Sequence, residues 1–138
     1  MNPLEQLGFP MVEIPETCST TSDVIRFLVD CLVDCGELHA MDADLAMDCV
    51  LNRESQGSTN LLGGAALPHS KFNPIDHVIG IIGRPEIAIT WASDDRAPVR
   101  MVVLMLMPTH APGLCMRGLE AAVRALRHEY PPPVNRAA

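Results

Sequence analysis

Residues 53–70 read RESQGSTNLLGGAALPHS, a span that packs together the groups needed to handle a phosphoryl anion. His69 offers an imidazole that is nucleophilic near neutral pH and whose phosphoramidate stays labile enough to pass on. Arg53 carries a planar fork of donors that matches phosphate oxygens. Ser58 and Thr59 add hydroxyls, and Gly63 and Gly64 free backbone N–H groups to come close. Transfer between two nitrogens passes through a loose transition state, so a protein contributes mainly position and electrostatic support.

Those side chains need elements to hold them. Asp42 is a good N-cap for a helix whose buried side carries Leu45, Ala46, Cys49 and Val50. Its last turn delivers Asn52, Arg53 and Glu54, and Gly57 closes it. Residues 59–62 and 65–67 read as two short extended pieces around the glycine pair. Pro68 biases Leu67 toward an extended conformation and ends the pairing, which leaves His69 just past a strand end. Upstream, residues 1–21 read as loop apart from an edge strand at 11–14. Ser22 or a neighbouring threonine caps a helix in which Val24, Phe27, Leu28, Cys31 and Cys35 recur at helical spacing. Downstream, residues 78–82, 87–91 and 99–107 read as strands, and 113–130 as a helix stopped by the triple proline at 131–133. Strands apolar on both faces are covered by helices on each side. The order predicts an α/β fold, a three-layer α/β/α sandwich with a mixed β-sheet, in a single domain over residues 1–138.

A net charge of −7 argues against a nucleic-acid partner and suits a basic protein partner. No apolar run reaches the roughly 20 residues that span a bilayer, and no signal peptide opens the chain, so a cytoplasmic protein is expected. Five cysteines are an odd count and read as free thiols in a reducing compartment. Cys31, Cys35 and His39 fall at i, i+4 and i+8. Gly36 is expected to end the helix before His39, so no metal site is assigned, and no cofactor is expected. The methionines of residues 101–107 read as core filling rather than a copper site.

The order Arg53-Glu54, Gly57-Ser58-Thr59, Gly64, Pro68-His69 resembles the phosphorylation site of the enzyme IIA domains of the sugar phosphotransferase system, in the fructose, mannitol and nitrogen-regulatory branch. The match needs no gap from Arg53 to His69, and a looser similarity covers residues 19–130. The resemblance implies that His69 accepts a phosphoryl group through Nε2 from an HPr-like phosphocarrier protein. It makes Arg53 the charge-stabilising partner and Ser58, Thr59 and Gly64 the phosphate-binding neighbours. The further partner it implies is a IIB domain or a regulatory target. With no fused membrane or IIB domain in the chain, the regulatory, nitrogen-type branch is expected; the alternative is a non-catalytic interaction module that kept the IIA fold.

Three departures from the family pattern stand out. Leu62 and Ser70 occupy positions where the family usually has glycine. Seven residues after Pro108, where the family carries a second active-site histidine, stands Cys115, a thiol at a helix start that tends toward thiolate. His110, five residues earlier, is the other auxiliary candidate. The chain also stops about one helix short of the family pattern, which predicts a domain truncated at its C-terminal end and an exposed surface that a homodimer would cover.

Overall fold

The structure, a computed structural model, describes residues 2–91 and 98–132. Its centre is β5, Met101–Met107, buried at every position. One long side of β5 pairs antiparallel with β4, Ile79–Pro85, which pairs in turn, in parallel, with β1, Met11–Ile14. The other side is shared by two short parallel strands, β2 (Ala65–Ala66) on Met101 and Val102, and β3 (His69–Lys71) on residues 105–107. The sheet is therefore mixed, with β1 at its edge as the sequence predicts.

Alternation along β5 divides the core. Val102, Leu104 and Leu106 face helices α2 (Thr21–Asp34) and α3 (Ala43–Ser55), while Met101, Val103 and Met105 face α1 (Pro3–Gln6) and α4 (Pro112–Glu129). Strand side chains alternate between faces, so a run apolar throughout must be covered twice. The fold is the expected α/β three-layer arrangement around one mixed sheet.

Several boundaries differ from the sequence reading for identifiable reasons. Helix α1 was missed inside a presumed loop, although Asn2 caps it by accepting from the Glu5 N–H at 2.9 Å and Pro3 opens it. In α2 Thr20 supplies the cap, its Oγ1 accepting the Asp23 N–H at 3.0 Å. The buried stripe of α2 is Val24, Ile25, Leu28, Val29 and Leu32, with Phe27 and Cys31 packed at its margin and Cys35 exposed. Gly36 (φ 80°) follows the helix end, so Cys31, Cys35 and His39 do not continue one helical face. A 3₁₀ turn over Ala40–Asp42 precedes α3, and Asp42 makes no side-chain cap. Among the described residues the expected strand at 87–91 is reduced to one antiparallel bridge between Ile89 and Val99. Pro133, the last of the triple proline, lies outside the described residues. No described helix is long and apolar enough to cross a membrane.

Candidate functional site

Residues 53–71 lead from the end of α3, through a tight hairpin, onto β3. Arg53 lies in the last turn of α3 and donates from Nη1 to the Gly57 carbonyl at 2.9 Å, which ties its guanidinium across the helix end. Glu54, only 8% exposed, turns the other way. It accepts from the Thr59 N–H (2.9 Å), the Thr59 hydroxyl (2.6 Å) and the Trp91 indole N–H (3.1 Å). Three donors on a buried carboxylate satisfy a group that would otherwise be costly to bury.

The hairpin then runs back on itself. Leu61 N–H donates to the Ala65 carbonyl at 2.8 Å and Leu67 N–H to the Thr59 carbonyl at 3.1 Å. Its tip, residues 62–64, holds Leu62 at φ 74° and Gly64 at φ 96°. Gly63 lies where a Cβ would run into the backbone carbonyls of Tyr130 and Pro131 at the end of α4. Leu67 and Pro68 separate β2 from β3, and His69 opens β3 rather than lying beyond a strand end.

His69 and Arg53 line one cleft of about 380 Å³, together with Cys49, Asn52, Gln56, Ser70, Lys71, Met107 and Leu119. The His69 ring is held by a 2.6 Å contact between Nδ1 and the Leu67 carbonyl. A carbonyl only accepts, so Nδ1 carries the proton and the lone pair lies on Nε2, the nitrogen at the far side of the ring. Burial lowers the His69 pKa below its ordinary 6.5; the Leu67 carbonyl opposes this, Arg53 adds to the lowering, and Glu54 acts against it. The cleft therefore holds a neutral imidazole with an unprotonated Nε2 beside a guanidinium, the pairing that attack on an electrophilic phosphorus requires.

The remaining sequence candidates lie elsewhere. Thr59 is buried with both its N–H and its hydroxyl bound to Glu54, so it organises the hairpin and does not line the cleft. The Ser58 Oγ accepts the Asn60 N–H at 3.1 Å, and Ser58 too lies outside the cleft lining. Gly64 gives its carbonyl to the N–H groups of Arg100 and Met101. It precedes β2, which pairs with Met101, whereas His69 pairs with Met105. Four residues of strand, roughly 13 Å, separate those positions. Cys115 is 5% exposed, and its thiol donates to the Pro108 carbonyl at 3.1 Å. In place of the expected thiolate, Cys115 is a buried thiol bonded to that carbonyl, and it is not among the residues that line the cleft. His110 is exposed in the turn before α4 and does not line the cleft.

Sequence reasoning gave no site role to Cys49 and Asn52, which it named only as parts of the helix, and passed over Lys71 and Gln56. Two periodicities mark them: Lys71 is two residues from His69 on a strand, and Cys49, Asn52, Arg53 and Gln56 fall at i, i+3, i+4 and i+7 on α3. Glu54 was named only as part of the motif, because a charged residue beside an arginine at a helix end gives no sign that it will be buried.

The fold and this cleft define a histidine-centred α/β domain equipped to handle an anion. Residues 10–129 match the family described as the phosphoenolpyruvate-dependent sugar phosphotransferase system, EIIA 2, and the chain belongs to that family. It is 28% identical over 119 residues to the PTS system fructose-specific EIIA component of Haloferax volcanii, covering 86% of this chain and 76% of that protein. To a nitrogen regulatory protein of Bradyrhizobium diazoefficiens it is 30% identical over 94 residues, 68% of this chain and 61% of that one. The crystal structure of nitrogen regulatory protein IIA-Ntr from Neisseria meningitidis superposes with a TM-score of 0.68 at 22% identity, over 84% of this chain and 77% of the other, which supports the fold.

Proposed function

We propose that this IIA-type protein is a phosphohistidine carrier that accepts a phosphoryl group on Nε2 of His69 from an HPr-like phosphocarrier protein, in the regulatory, nitrogen-type branch. The single observation that carries the reading is the His69 ring, fixed through Nδ1 on the Leu67 carbonyl in the cleft that Arg53 also lines. In the transfer, the Nε2 lone pair forms the new N–P bond while the donor's P–N bond breaks and its electron pair leaves with the donor nitrogen. The proton stays on Nδ1 throughout, donated to the Leu67 carbonyl. Arg53 meets the charge on the equatorial oxygens, and Lys71, on the same strand face as His69, places a second cation at the cleft.

Relatives named for fructose transport and for nitrogen regulation both align with the chain, so the onward acceptor under this proposal is a regulatory target or a IIB domain. A homodimer belongs to the same proposal. The alternative, an interaction module that no longer transfers, gains support from Cys115, whose thiol is bound to the Pro108 carbonyl and which does not line the cleft.

One experiment separates the two readings. The protein is incubated with phosphoenolpyruvate, enzyme I and HPr. The carrier reading expects a label that is acid-labile, base-stable and lost in His69→Ala. No incorporation under conditions that label a control IIA protein would reject it and leave the interaction module.

A further inference from the structure

The hydrogen bond that sets the His69 tautomer is the last link of a longer series. Trp91 Nε1 and both donors of Thr59 converge on the Glu54 carboxylate. The Thr59 carbonyl accepts the Leu67 N–H at 3.1 Å, and the Leu67 carbonyl accepts from His69 Nδ1 at 2.6 Å. Pro68 has no N–H, so the backbone between Leu67 and His69 offers no donor of its own to compete for that carbonyl. We infer that Glu54 is a positioning residue for His69: through Thr59 and Leu67 it holds the carbonyl that keeps the proton on Nδ1 and the lone pair on Nε2. The inference rests on the carrier reading for its consequence, but not for its geometry.

Three features of the clamp favour this role over simple loop anchoring. Glu54 follows Arg53 directly on α3, so the last turn of the helix directs one side chain into the cleft and the next into the clamp. The clamp draws on three separate segments: the end of α3, the outgoing strand of the hairpin, and the segment containing Trp91, 37 residues from Glu54. The bonds it makes are also unequal in importance. The Thr59 hydroxyl at 2.6 Å is the shortest of the three, and its loss leaves one carboxylate oxygen with no donor among the described residues.

The test uses the full chain, with the imidazole nitrogens labelled for 15N NMR. In the wild type His69 is expected almost wholly as the Nδ1–H tautomer. In Thr59→Val and Glu54→Gln the Nε2–H form should rise several-fold, and kcat for phosphorylation by HPr should fall about tenfold with KM nearly unchanged, as loss of orientation at a reacting atom predicts. Thr59→Ser restores the hydroxyl and should restore both readouts. If Glu54→Gln does not fold, Thr59→Val decides, because it leaves two of the three donors in place. Emission from Trp91, the chain's one tryptophan, shows whether each variant keeps the clamp region folded. Folded variants with the wild-type tautomer ratio and wild-type kcat would overturn the inference. A wild type with the Nδ1–H tautomer that takes no label from HPr would instead defeat the carrier reading while the positioning role stood, judged on the tautomer ratio alone.

Discussion

His69 combines two opposing pressures. Burial is the largest, and it lowers the pKa from the ordinary 6.5, with Arg53 acting the same way; the Leu67 carbonyl and the Glu54 charge act in reverse. The net direction is down, which suits a nucleophile that must be neutral when a phosphoryl donor arrives. The same shift has a consequence for stability. In the unfolded chain this histidine takes up its proton near its ordinary value, whereas the folded ring resists it, so acid favours unfolding. The contribution is fully present above about pH 6.5 and is lost as pH falls through the lower folded value. Urea unfolding at about pH 7.5 and about pH 5 should show the wild type losing more stability than His69→Gln over that window. Equal losses in the two proteins would mean that the ring is not buried as described.

At the scale of elements, the hairpin tip at residues 62–64 imposes two different demands on its backbone. Leu62 adopts φ 74°, a left-handed conformation that costs a side-chain-bearing residue roughly 1–2 kcal/mol. Leu62→Gly should relieve that strain at some cost in unfolded-state entropy, for a net gain of about 0.5 kcal/mol. Gly63 is constrained differently, since a Cβ there meets the carbonyls of Tyr130 and Pro131, which are backbone atoms with little freedom to move. Gly63→Ala should therefore destabilise by about 1–3 kcal/mol. Thermal melts of the two variants should move Tm in opposite directions; an unchanged or raised Tm in Gly63→Ala would show that the tip is not held against α4, and a lowered Tm in Leu62→Gly that the left-handed Leu62 is not strained.

Much of this architecture was legible beforehand. The all-apolar run of β5 demanded two covering layers, and the spacing from Arg53 to His69 named two of the side chains that line the cleft. What escaped depends on contacts across the sequence. Ile89 and Val99 look strand-like, yet they form one bridge only. The stripe of α2 was displaced toward Phe27 and Cys31 because both also contact the core at its margin, and periodicity alone does not rank the middle of a stripe above its edge. Ser58, Thr59 and Gly64 belong to the motif, but hairpin geometry directs Thr59 to Glu54 and carries Gly64 to the opposite end of β5.

On the scale of the whole molecule, the cleft is lined by the second half of α3, by β3 and the end of β5, and by Leu119 of α4, and each helix carries an exposed apolar side chain one turn from a lining residue. Leu45, expected on the buried side of α3 but 52% exposed because Ala46, Met47 and Val50 form that side, is one turn from Cys49, and Met116, 60% exposed, is one turn from Leu119 on α4. A free phosphoryl donor would not need them, whereas a protein donor must cover the rim to bring its own phosphohistidine to Nε2. Removing one such contact and adding a charge should weaken docking by about 1–2 kcal/mol, or roughly tenfold in kcat/KM. Leu45→Asp and Met116→Asp should each slow labelling by HPr to that extent. Both side chains are exposed, so folding should be little changed. Phosphoramidate, a small donor that needs no docking surface, should label His69 in these variants at the wild-type rate. Slower labelling by both donors would place the defect in the cleft itself, and unchanged labelling by HPr would move the docking face away from these two side chains.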